Sequence, residues 1–318
     1  MTIRSGDKAN ITKAARSLRL GGLVAFPTET VYGLGADATQ DTAIAQIYAL
    51  KERPALNPLI VHVGRPDWVA GLATPDGRFD ALTRAFWPGP LTLILRRRAD
   101  SPIGAAVSAG LDTIAVRQPN HPVAAALLTH VKRPLAAPSA NPSGQVSPTT
   151  AKHVFDDFGD RLNFILDGGP CTTGIESTVL DLTATTARIL RAGVVGVDAL
   201  EKVIGSVTPP DIVQAQEMEG SISSPGQLEK HYSPSLPVRL NAQRAIEDEA
   251  LIGFGKTPRA TLNLSPTGNL DEAAASLFAA LRSLDDPKRF RGIAIVPIPT
   301  LGVGQAINDR LLRASKGR

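Results

Sequence analysis

The chain has 318 residues, 43% hydrophobic and 20% charged, with a formal net charge of +4. This balance excludes fibrous and disordered classes, and the length suits two domains of roughly 100–200 residues each. One cysteine, Cys171, excludes an intrachain disulfide framework and suits a reducing compartment.

Aromatics are only 4%, so the core must be mainly aliphatic. No apolar run reaches the roughly 18 residues of a membrane span, and the N-terminal stretch lacks the apolar segment of a secretory signal. A cytoplasmic location without membrane contact is expected. The mild positive charge suits a polyanion such as ATP or RNA without specifying either. The one basic run, Arg96-Arg97-Arg98, reads as a solvated strand end.

In chain order, residues 9–20 have a helical pattern that Gly21-Gly22 ends. A short strand over residues 23–26 stops at Pro27. Asp41 is expected to N-cap a helix that presents Ile44, Ile47 and Tyr48 on one face and runs out near Lys51. Strands are expected over residues 59–63, 91–95, 113–117, 164–166, 178–182 and 187–190, and helices over 81–86, 122–131 and 151–158. The alternation predicts a mixed α/β sheet. Residues 206–237, with five prolines, lack either periodicity and read as a linker. A smaller α/β unit follows, with strands over residues 251–254, 261–264 and 293–296 and helices over 270–284 and 306–314.

Five clusters carry polar chemistry. Pro27-Thr28-Glu29-Thr30-Val31-Tyr32-Gly33-Leu34-Gly35 follows a strand end, where open α/β sheets bind ligands, and its glycines would allow close backbone approach. The spacing is neither a dinucleotide fingerprint nor a P-loop. Lys51 and Arg53 set two cations at a helix end, with Asn57 and His62 beyond; they read as a phosphate clamp or as ordinary helix-end chemistry. His62 in an apolar strand reads as a ligand group or a hydrogen-bonded core residue. Thr113 and Arg117, four apart on one strand, share a face. Pro138-Ser139-Ala140-Asn141-Pro142-Ser143-Gly144, with Ser147 after it, is a hydroxyl-rich turn. The last cluster is Gly174-Ile175-Glu176-Ser177-Thr178, followed by Leu190-Arg191-Ala192-Gly193. Cys171 reads as packing rather than as a nucleophile.

Taken together, PTETVYGLG, KERPALNPLIVH, TIAVRQP, PSANPSG, GIESTVLD and LRAG resemble the YrdC-like threonylcarbamoyl-AMP synthases over roughly residues 8–205. SPGQLEKHYSP and the C-terminal unit resemble that family's long, two-domain branch. Ala192 departs from the family's usual proline. The resemblance implies a YrdC-like catalytic domain over residues 1–205, built on a twisted mixed open sheet with helices. It further implies a linker or lid over residues 206–237 and a smaller Rossmann-like α/β domain over residues 238–318. It implies a nucleotidyltransferase that joins L-threonine, bicarbonate and ATP into L-threonylcarbamoyladenylate and pyrophosphate. The product would serve a separate tRNA threonylcarbamoyl-transferase complex that modifies the adenosine beside the anticodon.

The resemblance places L-threonine on Thr30, His62, Arg117, Ala137 (through its backbone) and Ser177. It places ATP on Arg53, Asn57, Thr113, Ser139, Ser147, Arg191 and Tyr232. Lys51, Arg53, Ser139 and Asn141, the KxR and SxN signatures, would lie close to the phosphates in the catalytic centre. Mg²⁺ would accompany the polyphosphate with no dedicated protein metal site. Two other readings stay open. One is a double-stranded RNA or tRNA-binding module without catalysis, or with weak RNA contact alongside it. The other is a carbamoyl-transferring enzyme, whose zinc-type cysteine motifs this chain lacks.

Overall fold

The computed structural model describes residues 2–210 and 231–317. Of the expected linker, residues 211–230 lie outside the described residues. The first part of the chain runs β1 (Ile3–Ser5), α1 (Lys8–Arg19), β2 (Val24–Phe26), β3 (Gly33–Asp37), α2 (Asp41–Lys51), β4 (Ile60–His62), β5 (Ala73–Thr74), α3 (Gly77–Phe86), β6 (Leu91–Arg97), β7 (Thr113–Arg117), α4 (Pro122–Val131), β8 (Leu135–Ala136), α5 (Ala151–Phe158), β9 (Ile165–Asp167), β10 (Thr178–Asp181), β11 (Ala187–Arg191), α6 (Val197–Ile204) and β12 (Val207–Thr208). The second part runs β13 (Val238–Arg239), β14 (Glu249–Gly253), β15 (Leu262–Asn263), α7 (Leu270–Leu284), β16 (Gly292–Ile295) and α8 (Gly304–Ser315).

Two sheets result. The larger has twelve strands among the described residues, in the order β1-β9-β2-β3-β8-β4-β7-β6-β10-β11-β12, with β5 on β6. It is mixed: β4 and β7 are parallel, while β2 and β3, and β6 and β7, are antiparallel. The smaller is wholly parallel, ordered β13-β16-β14-β15. Parallel pairing requires crossovers, and α7 supplies the one between β15 and β16.

Local chemistry sets several boundaries. Asp7 accepts from the Asn10 amide at 2.9 Å and starts α1, which buries Ile11, Ala14, Ala15 and Leu18 in a cluster shared with α4. The Asn269 side chain starts α7 by accepting from the amides of Asp271 and Glu272. Asp76 starts α3 a turn earlier than the apolar pattern suggests, because its carboxylate accepts from the Arg78 amide at 2.9 Å. Asp41 is not the N-cap of α2: Gln40 takes that position, and Asp41 is the first helical residue, where its charge meets the positive end of the helix dipole. Gly35, expected to face a ligand, lies in β3 against the Phe26 ring, where an added Cβ would sit 2.7 Å from Phe26 Cε1.

One hydrophobic cluster spans both sheets. Val31, Val146 and Ile175 from the first part pack with Tyr232, Leu277, Phe278 and Leu281. Gly174 has φ 75°, and a Cβ there would meet the Ala275 Cα at 2.5 Å, so the loop before β10 rests directly on α7. The expected cluster 174–178 thus does two jobs: its first residues touch the second domain and its later ones reach a cleft.

Candidate active site

The cleft begins at the β2–β3 connection. Thr28 Oγ1 donates to the Val31 carbonyl at 2.6 Å and accepts from the amides of Thr30 and Val31 at 3.2 Å each, which curls residues 28–31 into a hydroxyl-locked turn. The turn holds Thr30 where Arg117 Nη1 donates to its hydroxyl at 3.0 Å. Arg117 closes β7, and His62 lies beside it in register on β4. Arg117 Nε donates to the Gly89 carbonyl at 3.2 Å, and Nη2 stands 2.7 Å from Glu29 Oε1, out of line for a hydrogen bond. Both partners of this ion pair are buried. Glu29 is itself fixed, because its Oε2 accepts from the Asn120 amide at 3.1 Å. His62 is fully enclosed, edge-on to Phe26, and burial together with the Arg117 charge lowers its pKa to about 3. It is therefore a neutral hydrogen-bonding group at physiological pH.

A second wall comes from the end of α2. Lys51 is 1% exposed, and its Nζ donates to the carbonyl of Ser139 at 2.6 Å and to that of Asn141. Ser143 N returns a bond to the Lys51 carbonyl at 2.8 Å. Burial, with the Arg53 charge nearby, holds the Lys51 ammonium well below its ordinary pKa. The Asn141 amide nitrogen donates to the carbonyls of Pro142 and Gln145, both at 2.9 Å. Lys51 and Asn141 therefore shape the 138–145 loop from behind, and Ser139 faces the cleft. Glu52, in the left-handed region at φ 53°, turns the chain out of the helix. Arg53 then lines the cleft, donating to the carbonyls of Asn57 at 3.2 Å and Pro58 at 3.0 Å. Its pKa is lowered to about 10, chiefly by burial. Asn57 is wholly buried, with neither side-chain amide atom partnered among the described residues, but it does not line the cleft.

The third wall joins Ser177 to Arg191. Arg191 donates from Nε to the Ser177 carbonyl and from Nη2 to its hydroxyl, each at 3.1 Å, while Thr92 shares a 2.8 Å bond with that hydroxyl. Glu176 accepts from the Ser147 hydroxyl at 2.6 Å on Oε1 and from Arg310 Nε of α8 at 3.0 Å on Oε2. Burial would raise its pKa, but Arg310, Arg191 and the Ser147 hydroxyl outweigh that and hold it below the carboxylate norm. Tyr232 closes this side. It has φ 63°, stacks on Phe278 with centroids 5.3 Å apart, and lies under the Arg310 guanidinium. Its hydroxyl is buried without a hydrogen-bond partner among the described residues, and its pKa is pushed up to about 12 by burial and by Glu176.

One cleft is thus lined by Thr30, His62, Arg117, Ala137 and Ser177, the whole set expected for threonine. Arg53, Ser139, Arg191 and Tyr232 of the set expected for ATP line it too. Ser147 is set back, its hydroxyl turned to Glu176. Thr113 is at the far end of β7 from Arg117, roughly 13 Å along the strand by its rise per residue, and does not line the cleft. Thr28, Glu176 and His231 also line the cleft, and Glu29 pairs with Arg117, although none of them was in the expected binding sets. For Glu29 and Glu176 the signal was present, as carboxylates inside otherwise hydroxyl-rich motifs. Cys171 is buried, and burial together with Glu29 pushes its thiol up to about 12, so it stays protonated.

Fold and cleft together define a class: a mixed α/β domain whose polar site sits at strand ends, joined to a small parallel α/β domain. Residues 16–193 match the Sua5/YciO/YrdC family model, described as telomere recombination, and residues 195–316 match the model for the C-terminal domain of threonylcarbamoyl-AMP synthase. The threonylcarbamoyl-AMP synthases of Pyrococcus abyssi and Bacillus subtilis are each 39% identical to the chain. The first match spans 97% of this chain and 95% of the relative, and the second 99% and 95%. A crystal structure of P. abyssi Sua5 complexed with L-threonine superposes with a TM-score of 0.90 at 36% identity, over 99% of this chain and 96% of that one. The chain belongs to the Sua5/YciO/YrdC family, as a two-domain enzyme of its threonylcarbamoyl-AMP synthase branch.

Proposed function

We propose that the chain condenses L-threonine, bicarbonate and ATP into L-threonylcarbamoyladenylate and releases pyrophosphate. The observation that carries this reading is the convergence on one cleft of an amino-acid-sized hydroxyl and guanidinium set, Thr30, Arg117 and Ser177, with two further cations, Arg53 and Arg191. Arg117 offers its remaining N–H groups to the threonine carboxylate, while neutral His62 and the hydroxyls of Thr30 and Ser177 read the polar side chain. Arg53 and Arg191 neutralise phosphate charge, and Ser139 fixes a phosphate or the ribose.

In the reaction, the threonine amine and bicarbonate form a carbamate with loss of water. A carbamate oxygen then bonds to the α-phosphorus as the bond to the bridging oxygen breaks, and pyrophosphate leaves with that electron pair. Positioning and charge neutralisation suffice for such a step, and no protein nucleophile is needed. The site fits Mg²⁺ carried by the polyphosphate, because the cleft carboxylate, Glu176, is engaged at both oxygens. The same reading places the enzyme in the cytoplasm and hands its product to a transferase complex acting on tRNA. It divides the chain into a catalytic domain over residues 1–205, a lid over 206–237 and a small domain over 238–318, with Tyr232 touching the nucleotide.

Incubating the protein with ATP, bicarbonate and L-threonine, each omitted in turn, tests the reading. Pyrophosphate is expected only when all three are present. Equal release without threonine overturns it. RNA binding with no adenylate formed would favour the RNA-binding module instead.

A further inference from the structure

The cleft holds one feature that an anion-binding site should avoid. Glu176, a carboxylate, stands in the same wall as Ser177 and Arg191. An unpaired buried carboxylate there would repel a polyphosphate and an amino-acid carboxylate alike. Arg191 in the same wall offsets part of that charge, and a direct ion-pair partner comes from outside the first domain. Arg310, on α8, has no exposed surface and is the largest fully buried side chain among the described residues. Its Nε donates to Glu176 Oε2 at 3.0 Å, and its Nη1 to Asp309 Oδ2 at 2.8 Å. Its guanidinium carbon lies 5.4 Å from the centre of the Tyr232 ring. One buried cation of the second domain thus touches two groups that line the cleft of the first. Through Glu176 it also reaches a third, because the other oxygen of that carboxylate orients the Ser147 hydroxyl.

We propose that Arg310 is a positioning residue of the active site: it neutralises and aims Glu176, so that a cleft built for anions keeps a carboxylate to hold Ser147 and the loop that bears it. The second domain then contributes to substrate binding without touching the substrate. A packing role alone would be served by any large apolar side chain, whereas Arg310 has two carboxylate partners and a face on an aromatic ring. Truncating one member of a buried ion pair leaves the other charge unpaired, and that remaining charge does the damage.

This inference rests on the proposed use of ATP, and binding is the measurement that separates the two. ATP and inorganic pyrophosphate are titrated calorimetrically into the full chain, and adenylate formation is followed in parallel. Arg310→Gln is expected to weaken both ligands by about tenfold or more, the effect of an uncompensated charge worth about 1.4 kcal/mol. Adding Glu176→Gln to it removes the offending charge and should restore binding to within about threefold of the unchanged protein. If Arg310→Gln fails to fold, Glu176→Gln alone decides the matter. It keeps the acceptor for Ser147, leaves Arg310 paired with Asp309 and adds net positive charge, so pyrophosphate should bind as tightly as before or tighter. Weaker binding by Glu176→Gln, or a double variant no better than Arg310→Gln, means that the pair matters only for packing and overturns the proposal. An unchanged protein that binds ATP but forms no adenylate overturns the reaction and leaves the role of Arg310 standing. One that binds neither ATP nor pyrophosphate overturns both.

Discussion

Arg53 and Arg117 line one cleft but are held by different partners. Among the described residues, Arg53 donates to backbone carbonyls of its own loop, Asn57 and Pro58, while its side chain lines the cleft. Arg117 is held by Gly89, Thr30 and Glu29, so its charge is already partly balanced. Arg53→Ala should therefore weaken ATP use and Arg117→Ala threonine use, each by about 10- to 150-fold, the loss of a charged hydrogen bond of about 1.5–3 kcal/mol. Titrating each substrate separately checks the split, and two variants impaired only in ATP binding would refute it. The histidines make a second prediction. His62 and His153 are held neutral, with pKa values lowered from 6.5 to about 3 and about 4, in both cases chiefly by burial. The unfolded chain takes up these protons near pH 6.5 and the folded chain does not. Stability should thus fall as pH drops below about 6.5, level off only near the folded values, and be indifferent to these groups above pH 7. Denaturant midpoints between pH 4 and pH 8 measure this, and His62→Gln, if it folds, should flatten part of the slope.

At the scale of elements, the sequence was most legible where an apolar period met a definite start or stop. The ends of α4, α5 and α7 coincide with expectation because Pro122 occupies a first helical turn, Thr150 accepts from the His153 amide, and Asn269 caps two amides. The strand β7 is equally plain, a short apolar run between polar ends. In contrast, β3 was hidden, because Gly33-Leu34-Gly35 carries no alternating apolar pattern and its glycines serve the Phe26 ring and the Ala137 methyl. The two-residue strands β5, β8 and β12 exist only by pairing with neighbours distant in the chain, which no local pattern reveals. The site was legible as residue types but not as depth. Lys51 illustrates this: the spacing to Arg53 suggests two cations facing one ligand, yet the fold turns Lys51 inward to bind the Ser139 and Asn141 carbonyls. It follows that Lys51→Met should act through the loop. Losing a charged donor from two buried carbonyls should cost about 1–3 kcal/mol of stability and should also weaken ATP use, because Ser139 loses its anchor. A melting curve and an ATP titration of one preparation test both, and unchanged stability would show that the lysine is not the tie.

Among the described residues, three contacts stand out in joining the two domains, and two of them involve side chains that line the cleft. Arg282 of α7 makes a two-pronged ion pair with Asp157, at 3.0 and 2.6 Å, and donates to the carbonyls of Val146 and Ser147. Arg310 of α8 meets Glu176. Tyr232 enters between the domains on Phe278, and the following residues are pinned on both sides, Ser233 N to the Gly144 carbonyl and Ser235 to the Asp285 carboxylate. A chain ending before Ser206 would lose all three. It would bare Val31, Val146 and Ile175, leave Asp157 and Glu176 unpaired, and release the loop that carries Ser147. The first sheet keeps its own large aliphatic core, with Leu34, Ile44, Val61, Leu93 and Val116 all buried, so the truncated chain should still fold. Its adenylate formation should nevertheless fall by most of its value, and Tyr232→Ala in the full chain should do the same with a smaller loss of stability. Opening one wall of the cleft readmits water and weakens every charge contact inside it. Circular dichroism of the truncated chain beside a pyrophosphate-release assay of all three proteins decides the point. If the truncated chain is folded and as active as the full one, the second domain is only an appendage, and the cleft needs neither Tyr232 nor the Arg310 that backs it.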